Sequence, residues 1–217
     1  MPSYKKSDDG GGFAVAFVVI LILLLMLAHS RNSHGAEVPN AAFQYRTDML
    51  QSAWRTFGPG APVAVLAAQI HQESSWKIDA RSWAGAEGFA QFMPGTAADM
   101  ANRYPELCAP ANPFSAKWAF NCRDKYLQLL ITASTNDSTS ECSQWAFGLG
   151  GYNGGLTWAF RDRRAAAEGG ANPDDWREVA PFNAGRKPSA FRENREYPVR
   201  IFRLQEAYNF WGRGLDC

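Results

Sequence analysis

Glu73 is the residue of this 217-residue chain whose placement points most directly to chemistry. It follows Val63, Leu66, Ala67 and Ile70, apolar positions spaced by three and four that mark one face of a helix. The next step of three on that face is Glu73 itself. A carboxyl on an apolar helix face, with Trp76 and Trp83 close by in sequence, loses water, and its pKa rises. An acid still protonated near neutral pH is what a poor leaving group such as a sugar oxygen requires. Periodicity alone favours the plainer alternative, a buried Glu satisfied by a structural partner. Other chemistries lack their parts. The three histidines, His29, His34 and His71, are scattered, and there is no C-x-x-C, so neither a metal site nor a cofactor is expected. A Ser–His–Asp triad is excluded because His71 is the one histidine of the folded part, and side chains two apart on a helix diverge.

The residues after Glu73 decide between the two readings of it. Glu73-Ser74-Ser75-Trp76, then Ala80, Ser82, Gly85-Ala86-Glu87-Gly88, Gln91, Met93-Pro94 and Thr96-Ala97, form a block that closely resembles the signature of lytic transglycosylases of the soluble-lytic-transglycosylase type, in the lysozyme-like superfamily. Two more blocks follow in the same order. Gly151-Tyr152-Asn153-Gly154-Gly155 is similar to the family's Tyr-Asn-x-Gly element, and Glu193-Asn194-Arg195-Glu196-Tyr197 to its Glu-Thr-Arg-x-Tyr-Val element. The departures are Ile78-Asp79, Phe89-Ala90, Gly151, Pro198 beside Tyr197, and some ten extra residues, including Gly185 to Ser189, ahead of Glu193.

The resemblance implies an all-α, lysozyme-like domain acting on peptidoglycan glycan strands. It implies Glu73 as the single catalytic acid and base, Ser82 and Gln91 facing the sugar near the cleavage point, and Met93, Tyr152 and Asn153 along the glycan. Glu193 would line the cleft, and Tyr197 would reach toward Glu73 and hold it. Ordinary glycosidases need two carboxylates. Here the spare ones near the block, Asp79 and Glu87, stand in no catalytic position of the family. The mechanism implied is therefore non-hydrolytic and ends in a 1,6-anhydro-N-acetylmuramic acid. A hydrolytic muramidase like the goose-type lysozymes, and a non-catalytic peptidoglycan-binding subunit of an envelope-spanning machine, remain as alternatives.

The elements that must position these residues read as helices joined by Gly-, Pro- and Ser-rich loops. Expected helices are 41–57 (with Phe43, Met49, Leu50 and Trp54 as apolar members), one beginning after Gly60, 94–103, about 114–132 (aligning Trp118, Cys122, Tyr126 and Leu129), 141–149 and 152–167. The last pair would be split at Gly150-Gly151. A final helix is expected after Pro198, with Ile201, Leu204, Tyr208 and Trp211 as a core stripe. Glu168 to Pro188 reads as a long connection.

Ahead of this domain, expected at 41–217, come a tail (1–12), an apolar segment (13–30) and a linker (31–40). Phe13–Ala28 contains no charge, Gly or Pro and would make a helix of roughly 24 Å, against a hydrocarbon core of about 30 Å. Lys5 and Lys6 before it put the tail on the cytoplasmic side. The reading is a single-pass inner-membrane anchor with the domain in the periplasm. A cleaved signal ending at Ala28-His29-Ser30, or a virion-associated protein, are the alternatives. The partners could then include a conjugation, secretion or phage apparatus. Cys108, Cys122, Cys142 and Cys217 all lie beyond the apolar segment and suit an oxidising compartment. Of three possible connectivities, sequence proximity favours Cys108–Cys122 and Cys142–Cys217. The formal net charge of +1 gives no support for nucleic-acid binding. If the segment is retained, the intact protein is expected to fractionate with membranes and residues 31–217 to be cut by protease only from the outer side. Amino-terminal sequencing that finds a mature chain starting at Arg31 overturns the anchor.

Overall fold

A computed structural model describes residues 36–217, and Val38–Cys217 form one packed unit. The apolar segment lies outside the described residues. Among those described, no helix is long and apolar enough to cross a membrane.

The centre of the fold is a helix buried on every side. This helix, α3 (Val63–Ser74), has Val63 through Ile70 all inaccessible to solvent, which explains why its sequence shows almost no polar face before Gln69. Pro62 caps it, where a missing N–H costs nothing. Around it pack α1 (Asn40–Phe43), α2 (Arg46–Phe57), α6 (Ala116–Ser134) and α10 (Pro188–Leu204), and α10 continues into a 3-10 turn at Gln205–Tyr208. The remaining helices are α4 (Pro94–Arg103), α5 (Pro105–Cys108), α7 (Glu141–Gly154), α8 (Leu156–Glu168) and α9 (Trp176–Val179). The only sheet-like pairing among the described residues is two isolated bridges, Arg81 to Glu87 and Glu87 to Phe92. The domain is all-α, as expected. Cys108 is bonded to Cys122, fastening α5 to α6, and Cys142 to Cys217, fastening the last residues to the start of α7.

Several elements differ from the sequence reading, each for a packing reason. The first helix breaks at Gln44-Tyr45, where the Tyr45 ring packs 4.8 Å from that of Phe89. Of its expected apolar members, Phe43 and Trp54 are about half exposed, at 49% and 52%, while Ser52 is buried. In α6 the buried positions run through Asn121, Arg123 and Asp124 to Leu127 and Leu130, so the expected alignment on Tyr126 and Leu129 is only its edge. The glycine pair 150–151 does not break α7. Gly150 lies under the Trp176 ring, where a Cβ would fall 2.9 Å from it, Gly151 is in ordinary contact with Leu130, and the chain turns instead at Gly155, with φ of 87°. The last helix starts at Pro188, ten residues before the expected Pro198, which sits inside α10. Tertiary contacts on both sides of Pro198 hold that helix together: Asn194, Tyr197 and Ile201 are all buried.

The loop between α3 and α4 is docked by backbone. Gly88 has φ of 71°, and a Cβ there would fall 1.8 Å from the Pro113 carbonyl oxygen. The close approach that this glycine permits is thus to the protein's own chain. Arg81 lies 4.5 Å over the Phe114 ring beside it. Gly88→Ala combines a forbidden φ with a backbone clash, so a loss of about 3 kcal/mol or more is expected in urea unfolding, against about 1 kcal/mol or less for Gly60→Ala.

Candidate active site

Glu73 occupies the last turn of α3, just before the chain leaves the helix through two consecutive left-handed residues, Ser75 (φ 51°) and Trp76 (φ 61°). Non-glycine residues in that region cost free energy and persist only where the surroundings impose them. Here the constraint is Trp76. Its ring is buried among Tyr45, Phe89, Phe120 and Trp211, and its Nε1–H donates to Tyr208 Oη at 2.7 Å. Tyr208 Oη also shares a hydrogen bond with His71 Nδ1, 2.9 Å away, and burial lowers the His71 pKa. The end of α3 is thereby clamped to the 3-10 turn.

The Glu73 carboxyl is partly exposed and meets Tyr197, whose hydroxyl donates to Oε1. Loss of water is the main influence and raises its pKa from 4.5 to about 7. The Tyr197 hydrogen bond and the Arg123 charge oppose this, and Glu193 adds to it. Tyr197 is itself pushed well above 10 by burial, so it stays a phenol and a donor. Tyr197 thus touches Glu73, and Glu193 and Tyr152 are near enough for charge to act between them and Glu73. Tyr152 is also raised by burial and by Glu73, and its hydroxyl donates to the Ala90 carbonyl at 2.7 Å.

The other expected site residues have specific structural duties. Ser82 Oγ accepts from the Ala86 N–H at 2.9 Å and so shapes its turn. Gln91, in the left-handed region, donates its amide to Ala80 and Gly88 carbonyls at 3.2 and 2.9 Å, leaving Oε1 without a partner among the described residues. Met93 is 45% exposed at the start of α4. No contact joins Ser82, Gln91 or Met93 to Glu73. Asn153 accepts from Asn194 Nδ2 at 3.2 Å, and a cavity of about 410 Å³ opens beside it, lined by Gly154, Trp158, Arg186, Lys187 and Glu193. Among the described residues no group of three or more His, Cys, Asp or Glu is placed to hold a metal ion.

The block 193–197 shows how α10 is aimed. Asn194 Nδ2 reaches the Gly150 carbonyl at 2.7 Å, and a Cβ on Gly154 would lie 2.5 Å from that same nitrogen. Arg195 donates to buried Asp162 at 2.6 Å and to the Ala180 carbonyl at 2.9 Å. Arg186, from the extra residues ahead of the block, pairs with the same Asp162. These ties bind α10 to α7 and α8, and Tyr197, one turn further on, then faces Glu73.

Residues 55–174, more than half of the chain, match the family described as Transglycosylase SLT domain. The chain belongs to this family. It is 32% identical to membrane-bound lytic murein transglycosylase F of Histophilus somni (strain 2336) over 115 residues, 53% of this chain and 22% of that protein. With the protein of the same name from Pasteurella multocida (strain Pm70) it shares 33% identity over the same proportions. The crystal structure of the 70 kDa soluble lytic transglycosylase SLT70 from Escherichia coli superposes with a TM-score of 0.55 at 21% identity, over 76% of this chain and 24% of that one, which shows the shared fold. The chain thus corresponds to about a quarter or less of these proteins' length. The family match ends before Glu193, so Tyr197 is joined to this SLT domain's acid by the structure rather than by that match.

Two residues behind the acid went unnoticed in the sequence. Gln69 donates to Tyr197 Oη at 3.2 Å, and fully buried Arg123 donates to Gln69 Oε1 at 3.2 Å. One signal was available: Gln69 stands four residues before Glu73 on the same helix face, whereas Arg123-Asp124-Lys125 reads as an ordinary charged run. The raised Glu73 pKa also has a stability consequence. The folded state holds this proton more tightly than the unfolded one, so stability is fully present below about 4.5 and falls as pH rises toward about 7. Glu73→Gln removes that slope. Its chemical-denaturation stability is expected to exceed wild type by about 1–3 kcal/mol above pH 7, partial exposure included, and to match it below pH 4.5.

Proposed function

We propose that this chain cleaves the bond between N-acetylmuramic acid and N-acetylglucosamine in peptidoglycan without consuming water, using Glu73 as acid and then as base. The observation that carries the proposal is a carboxyl with a pKa of about 7, desolvated and held at one oxygen by a phenol, in a chain of the SLT family. In the first step Glu73 gives its proton to the bridging oxygen while the muramyl C1–O bond breaks, and the leaving sugar departs with a free hydroxyl. The muramyl N-acetyl oxygen stabilises the electron-poor C1. In the second step the Glu73 carboxylate takes the proton of the muramyl C6 hydroxyl as that oxygen bonds to C1. The product is a 1,6-anhydro ring, and the acid is restored for the next cycle.

Of the other carboxylates, Glu87 is paired with Arg81 and Asp79 is exposed, so Glu193, whose charge reaches Glu73, is the one that could serve a two-carboxylate route. Asn153, the cavity beside it, Gln91 Oε1 and Met93 are the groups that would meet the glycan. The site of action would be the periplasmic side of the inner membrane, with Phe13–Ala28 confining the domain near its polymer and raising effective concentration without adding a contact. Digestion of purified peptidoglycan followed by mass spectrometry tests the reaction. Muropeptides one water lighter than hydrolysis products are expected. Reducing ends would establish a muramidase, and no cleavage a binding protein. Glu73→Gln, similar in volume but without an acidic proton, is expected to bind wall material and to lose more than roughly a hundredfold in lytic rate. Lysis at a wild-type rate by the folded variant would remove Glu73 from the mechanism.

A further inference from the structure

We infer that Gln69, oriented by Arg123, is a positioning residue that fixes the direction of the Tyr197 hydroxyl and so decides which oxygen of Glu73 carries the proton. The argument is one of donors and acceptors. A guanidinium has N–H groups and no acceptor. Arg123 is fully buried and spends those groups on the Leu66 carbonyl (2.6 Å), Gln69 Oε1 (3.2 Å), Met49 Sδ (3.1 Å) and Asp124 (2.6 Å). The side of the Gln69 amide that faces it must therefore be oxygen. The amide cannot be turned the other way without setting N–H against N–H in a site that excludes water. Its nitrogen consequently faces Tyr197 and donates to the phenol oxygen at 3.2 Å. With that oxygen already accepting, the phenol's own proton goes to Glu73 Oε1.

The chain of bonds from Arg123 to Glu73 thus runs one way, and its end has a chemical consequence. Oε1 receives a proton from Tyr197 and cannot also present one there. The acidic proton resides on Oε2. That atom has no partner among the described residues, yet it is not among their buried unpartnered side-chain atoms, which are Arg186 Nε, Arg200 Nε and Trp211 Nε1. Oε2 is therefore not fully sealed from solvent, as a group that is to meet a leaving-group oxygen must not be. The far end of the chain is anchored as well. Asp124 takes Arg123 Nε on one oxygen and Ser52 Oγ on the other, both at 2.6 Å, tying the relay to α2.

This inference rests on Glu73 being the acid of the proposed reaction, and its test reads the carboxyl itself, so failure of one is separable from failure of the other. The Glu73 carboxyl is followed by carbon-13 NMR titration in the full chain with labelled glutamate, assigned by loss of the signal in Glu73→Gln. The charged and titratable groups acting on it are Tyr197 and Glu193 from α10, Arg123 from α6 and Tyr152 from α7. Arg123 is left in place, because removing it would strand Asp124. Gln69→Met fills the same space without donating and adds no charge. It is expected to raise the Glu73 midpoint by roughly half a pH unit or more, the phenol having lost its orientation. In a Tyr197→Phe background the same substitution is expected to change the midpoint by about a tenth of a unit, since the relay acts only through that hydroxyl.

Gln69→Glu keeps a partner for Arg123 but accepts from Tyr197 and draws its proton away. A larger rise is expected, again chiefly where Tyr197 is present, with a lytic rate reduced roughly tenfold or more at the wild-type optimum. Gln69→Glu also serves if the methionine variant does not fold. Equal shifts in both backgrounds, or no shift with Tyr197 present, overturn the relay and leave Gln69 a structural residue.

Discussion

A carboxylic acid that is to give up a proton near neutral pH has to be taken out of water without being handed to a positive charge. The Tyr197–Glu73 hydrogen bond meets that constraint, and much of the molecule is arranged around it. Desolvation alone would push the Glu73 pKa still higher, and a directly paired arginine would pull it far down. A neutral phenol gives a moderate opposing influence and the positive charge acts from behind it, through Gln69. The guanidinium is in turn matched by Asp124, so the acid feels a partly compensated charge. A buried ion pair is poor evidence of stability, since its desolvation cost rivals its attraction. Its retention beside the acid is better explained by direction than by strength.

That bond joins the end of a buried helix to the middle of a peripheral one, so both helices have to be immobile. For α3 this is achieved by burying Val63–Ile70 completely and clamping the helix end through Trp76, Tyr208 and His71. For α10 it is achieved by polar ties, Asn194 to α7 and Arg195 to α8, because this helix carries few large apolar residues before Tyr197. The two solutions suit their places. Apolar packing fixes a helix at the centre, where water is absent on every side, whereas a peripheral helix gains its register from directional bonds to buried groups such as Asp162.

The helical class and the position of Glu73 on its helix were legible because each depends on local spacing, and the three sequence blocks because they resemble the family's signature. What escaped depends on partners far away in the chain. The glycine pair 150–151 looks like a helix break until the Trp176 ring is seen to occupy the space where a Gly150 side chain would be. Pro198 looks like a helix start until Asn194, Tyr197 and Ile201 are seen to hold the helix on both sides of it. Ser52 reads as a surface residue, and it is buried because Asp124, 72 positions on, accepts its proton. Gln69 and Arg123 belong to the same class. Each is an ordinary polar residue by composition, and each acquires meaning only from what it faces.

The same distinction separates the two sides of the site. Behind Glu73 the relay Ser52, Asp124, Arg123, Gln69, Tyr197 is buried side chain throughout, and each member's position is set by the next. In front of it Tyr152, Asn153 and Glu193 stand on helices, while the other residues expected to meet the glycan are held by local backbone: Ser82 in a closed turn, Gln91 bonded to Ala80 and Gly88, Met93 exposed at a helix start. Loops of that kind tolerate change while the scaffold behind them does not. Of the departures, Ile78-Asp79 falls on this outer side, whereas Arg186 of the extra residues is buried against Asp162, and Phe89, Ala90 and Pro198 lie in the core. The groups that hold Glu73 from behind are not the groups that would meet the sugar, so a change at Ile78-Asp79 can alter the outer surface without reaching them.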